Sequence, residues 1–191
     1  MGTRGAVGYR LGSIDKVTYN HFDSYPTGLG VAVLDYIRKF SDKEILEASR
    51  NIVLVEQDSK PTPEQKIECA FAKTADLTVS KQSTDDWYCL LRNIQGKLEA
   101  YHTGVRYMIN SENFLGDSLF CEWAYIINLD TKTLEVYKGF NKNPKASGRY
   151  SNMEPADTND AYYGVRLIRE IPLKKIRSLK SVEALAANLE R

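Results

Sequence analysis

The chain has 191 residues, 42% of them hydrophobic, which supports one buried core and makes two independent domains a stretch. Its charged residues, 27% of the total, nearly cancel to a net charge of +1, so no global field draws it to nucleic acid or a membrane surface. No apolar run approaches the roughly 20 residues of a membrane span, the N-terminus lacks an apolar signal core, and a cytoplasmic location is expected.

In chain order, residues 3–10 and 16–22 carry aromatic and β-branched residues around a Gly12-containing turn, the pattern of a hairpin. Val33, Leu34, Ile37 and Phe40 then recur at helical spacing. Ser41 with Glu44, and Thr62 with Gln65, have the form of capping boxes that start two further helices, the second with Pro63 at its first position. A fourth helix is predicted after Thr84, Asp85 and Asp86, with Trp87, Leu90, Leu91, Ile94, Leu98 and Tyr101 as its buried stripe and Gly96 as a weak point. From residue 105 the pattern turns to strand. Segments 105–110, 119–129, 134–140 and 163–171 qualify, and a last helix follows Ser181. The expected fold is a single α+β domain over residues 1–191. Its mostly antiparallel sheet is built from the N-terminal hairpin and C-terminal strands, with a helical middle section, about 28–102, packed on it. A polar loop, about 141–162, is either a lid or a mobile surface segment.

The densest run of chemistry-bearing residues is Tyr19–Gly30, YNHFDSYPTGLG, between the end of a strand and the start of a helix. Free amides at Thr27, Gly28, Leu29 and Gly30 with the positive end of the helix dipole would receive a phosphate or carboxylate. Arg4 on the adjacent strand could add a bidentate contact and Tyr25 a stacking face. Tyr19, Asn20, His21, Asp23 and Ser24 complete the candidate ligand-binding set, with Arg149 reaching in from the polar loop. The competing reading is that Asp23 or Ser24 simply caps the helix while His21 and Tyr25 pack to hold the turn.

The opening MGTRGAVGYR, the YNHFDSYPTGLG run and the later EWAYIINLDTKTLEVYKGF together resemble an uncharacterised family of small tailed-phage and bacterial proteins. Its members have an N-terminal TRG strand and a Tyr-Pro-x-Gly turn. Ser24 stands where that family often has glycine. The resemblance implies a phage or bacterial cytoplasmic origin and assigns no activity.

Cys69, Cys89 and Cys121 match no zinc, redox or disulfide spacing, and two histidines, His21 and His102, do not suggest a metal site. No phosphate-binding loop, metalloprotease or nucleophile-elbow motif occurs, and Gly28 with Gly30 is a poor dinucleotide fingerprint. No cofactor is therefore expected. His21 and Asp23, at alternate positions of an extended segment, would face the same way and could form an acid/base pair. The basic run from Arg166 to Lys180 reads more simply as a solvated face than as a nucleic-acid track. The leading expectation is a non-catalytic binder of a small anionic ligand, a nucleotide or nucleotide-derived signal, serving phage counter-defence. A hydrolase or transferase using His21 and Asp23 is the alternative in the enzyme class. An inhibitor of a host protein is a third reading, and homo-oligomerisation stays open.

Overall fold

The computed structural model describes residues 2–153 and 162–190. A five-stranded sheet runs in the order β2 (Ile14–Asn20), β1 (Gly5–Leu11), β5 (Trp123–Asn128), β6 (Thr133–Lys138), β7 (Arg166–Pro172). Every pairing is antiparallel except that of β1 with β5, whose register sets Gly5 opposite Trp123 and Arg10 opposite Asn128. The long connection between those two strands carries the helical middle of the chain. It contains α1 (Val31–Lys39), α2 (Asp42–Asn51), α3 (Pro63–Phe71), a single turn α4 (Trp87–Leu90), and a small parallel pair, β3 (Val53–Val55) with β4 (Tyr107–Ile109). Two short helices, α5 (Leu173–Arg177) and α6 (Glu183–Glu190), end the chain.

Both predicted capping boxes form. Ser41 Oγ accepts from the Glu44 amide while Glu44 bonds back to the Ser41 amide at 2.8 Å, and Thr62 and Gln65 do the same. Lys16, projecting from β2, donates its ammonium to the Ser49 and Ile52 carbonyls at 2.8 and 2.7 Å and so closes the end of α2. Arg177 performs a similar service at the α1–α2 junction, donating to the Ile37 and Phe40 carbonyls at 3.0 Å each. That accounts for one member of the basic run as a structural clamp.

The predicted fourth helix stops after one turn. Leu91 leaves helical geometry, Gly96 adopts φ +73, and the chain continues as two 3₁₀ turns, Arg92–Ile94 and Leu98–His102. The hydrophobic stripe is nevertheless buried as expected, because its side chains still meet the core.

Alternation along the sheet feeds two cores. Val7, Tyr9, Trp123, Tyr125, Ile127 and Val136 pack against the helices, and Ala6, Val17, Ala124, Ile126 and Tyr137 face the other way, where Leu115, Tyr150 and Val165 cover them. The polar loop is thus, over its described part, a cover on the second sheet face. Tyr150 is buried and the Asn141 side-chain Nδ2 donates to the Gly164 carbonyl at 2.8 Å. Residues 154–161 of that loop lie outside the described residues. The three cysteines are free and buried, and no described helix is long and apolar enough to cross a membrane.

Candidate functional site

Three of the four amides proposed as an anion receptor, those of Gly28, Leu29 and Gly30, are occupied. After β2 the chain turns through Asp23, at φ +52, into a π-helical turn, Pro26–Gly30. There the Gly28 amide donates to the Tyr25 carbonyl at 2.9 Å, Leu29 to the Asp23 carbonyl at 2.8 Å, and Gly30 to Tyr25 at 3.3 Å. The Thr27 hydroxyl bonds Glu190 of α6 at 3.1 Å. Ser24 is fully buried. Its amide donates to the Thr3 carbonyl, its hydroxyl accepts from Asn20, and its carbonyl accepts from Tyr125 at 3.0 Å. A backbone that satisfies its own donors has none left for a ligand, so Ser24, Tyr25, Thr27, Gly28 and Gly30 form a buttress.

Asn20 belongs to that buttress. Its side-chain amide also bonds the Phe22 carbonyl, and its Oδ1 lies only 2.2 Å from where a Cβ on Gly96 would sit. Asp23 and His21 do not meet. The His21 ring instead contacts Tyr19, whose hydroxyl lies 2.6 Å from Nδ1. Arg149 lies towards the start of β2, away from His21 beyond its end, and is bonded to Glu135 at 2.6 Å and to Asp15 at 3.5 Å. It holds the loop down and takes no part in a site with His21.

Three of the predicted residues do come together. Arg4, Tyr19 and His21 line a cavity of about 570 Å³ at the open edge of β2. Its far wall is a segment the sequence reading passed over: Asn110 and Ser111 beyond β4, and Asn113, Phe114 and Asp117 on or beside a 3₁₀ turn, Glu112–Gly116. Gln57, Tyr88 and Gln95 close the sides. The polar run from Asn110 to Asn113 beside Phe114 was the available signal. Tyr88 and Gln95 gave none, because they sat within an apparent helical pattern.

The charges that act on His21 are both positive. Burial and the guanidinium groups of Arg92 and Arg4 hold the His21 imidazole below its ordinary value, favouring its neutral form. Burial raises the Tyr19 phenol while the same two arginines pull against it. Among the described residues Arg4 and Arg92 enter no ion pair; Arg4 lies over the Phe120 ring at 5.2 Å, and Arg92 bonds Gln95 at 2.9 Å. Asp117 also lines the cavity, and its carboxylate accepts from the Phe120 amide. Among the described residues no group of three His, Cys, Asp or Glu side chains is placed to hold a metal ion.

No protein-family model matches the chain, and no curated protein or solved structure matches it.

Proposed function

We propose that this chain is a non-catalytic binding protein for a small anionic ligand carrying an aromatic ring, a nucleotide or a nucleotide-derived signal, held in the cavity beside β2. The observation that carries the reading is the coincidence, at His21, of a positive field from Arg4 and Arg92 with a cavity of about 570 Å³. That volume lies within the roughly 300–1,000 Å³ typical of small-molecule sites. Tyr19, Tyr88 and Phe114 offer ring faces, and the side-chain amides of Gln57 and Asn113 offer the paired donors and acceptors that read a base edge.

His21 is partnered by a phenol and not by a carboxylate, which favours holding a ligand over general-base catalysis. The sequence resemblance suggests a phage or bacterial cytoplasmic setting, in which a nucleotide binder of this kind would serve to sequester a host defence signal. Thermal-shift measurement against a panel of mononucleotides, dinucleotides and cyclic oligonucleotides tests the binding claim, with stabilisation by at least one member expected and its loss in Arg4→Met. Recovery of that ligand chemically unchanged after denaturation tests the non-catalytic claim. A panel without any stabilising member would overturn the reading.

A further inference from the structure

The cavity beside β2 does not end at His21. A second recess of about 330 Å³ adjoins it, and His21 and Gln95 line both. The second recess has its own cations, Arg92 and Lys97, and its own ring face, Phe22. Among the described residues Lys97, like Arg92, forms no ion pair. Asp76 also lines it, but its carboxylate is committed to the local turn, accepting from the Thr78 amide at 2.8 Å and hydroxyl at 2.6 Å.

The two recesses repeat one arrangement. Each combines a cation with aromatic rings: Arg4 with Tyr19 and Phe114 in the first, and Arg92 and Lys97 with Phe22, which is 55% exposed, in the second. Aromatic rings beside cationic side chains are the elements with which proteins grip successive units of a phosphodiester chain, one stacking surface and one charge per unit. The first recess alone is large enough for one nucleotide, so a mononucleotide would leave the second set of groups unused.

We propose, building on the nucleotide-binding reading, that the groove is a two-unit site for a dinucleotide. One base and phosphate lie against Arg4, the other against Arg92 and Lys97, and the linking phosphodiester crosses at His21 and Gln95. Joining two units through one linkage makes the second contact intramolecular, so the gain in affinity exceeds what a second free nucleotide would achieve.

Calorimetry with 5′-AMP and with the linear dinucleotide pApA tests this. The expected result is binding of pApA at least about tenfold tighter than AMP. That ratio should shrink towards one in Arg92→Met and, as a second variant at an exposed position, in Lys97→Gln. Arg4→Met should weaken both ligands. If AMP binds and pApA binds no tighter, the two-unit site is wrong while the one-nucleotide cavity stands. If neither binds, the underlying reading fails with it.

Discussion

The Tyr19 hydroxyl lies 2.6 Å from His21 Nδ1, an alliance between alternate positions of one extended segment that fixes the imidazole within the field of two arginines. His21 lines both recesses, and Arg4 and Arg92 act on the Tyr19 and His21 titrations alike. In the free protein the His21 pKa, followed by ring-proton NMR, should fall below the roughly 6.5 of an unperturbed imidazole. Arg4→Met and Arg92→Met should each raise it. A value unmoved by both substitutions would show that the guanidinium groups do not act on this ring.

The second sheet face holds a buried ion network. Arg149 bonds Glu135 at 2.6 Å, Asn128 and Tyr137 donate to the same carboxylate, and Arg10 bonds Asp15 at 2.8 Å. Burial alone would raise the Glu135 carboxyl, and these bonds outweigh it, leaving it below the ordinary carboxylate range. Arg149→Met leaves that carboxylate buried without its cation and should cost about 3–5 kcal/mol in urea unfolding. Adding Glu135→Gln should recover part of the loss. Because Arg149 stands apart from the groove, the variant, where folded, should bind ligand like the parent.

Gly96 should not tolerate a side chain. Alanine there must hold φ +73, at roughly 1–2 kcal/mol, and its Cβ would collide with Asn20 Oδ1 at 2.2 Å. Displacing Asn20 also breaks its bond to Ser24. Gly96→Ala should therefore be less costly in an Asn20→Ala background than alone, and a double-mutant cycle without coupling would refute the contact.

Stability should fall on mild acidification. Burial lowers His21, and burial chiefly lowers His102, whose ring stacks on Phe40 at 3.8 Å and bonds Tyr36 at 2.8 Å. An imidazole whose folded pKa lies below its unfolded one favours the neutral form on folding. Its contribution is full above about pH 6.5 and is lost as pH falls through the window down to the folded value. The urea midpoint should drop across that window, and replacing both histidines with glutamine should flatten the drop. The Glu135 contribution has the same sign but is lost only in the lower carboxylate range.

Much of this architecture was legible from residue pattern. The two capping boxes, the Gly12 hairpin and the alternation around Trp123 and Tyr125 are local signals, and each formed where its residues stand. The stripe from Trp87 to Tyr101 shows the limit. Its periodicity identified the buried side chains, yet the backbone between them is broken, because Gly96 turns left-handed to lie against Asn20 from a distant part of the chain. The site was half legible for the same reason. Arg4, Tyr19 and His21 sit at the ends of adjacent strands, whereas Asn110, Asn113, Phe114 and Tyr88 reach the groove through tertiary packing that no short-range pattern encodes. The Tyr25–Gly30 run looked like a receptor because its glycines and polar groups suit one, and those same glycines let the chain fold back and consume its own amides.

The central claim is that a negatively charged ligand settles against His21 between Arg4 and Arg92. NMR titration of both histidines with and without saturating 5′-AMP tests it most directly. The phosphate should oppose the two guanidinium charges and raise the His21 pKa, while His102, held against Phe40 and Tyr36 away from the groove, stays where it was. A His21 titration unchanged by AMP, or a shift at His102 instead, would contradict the account.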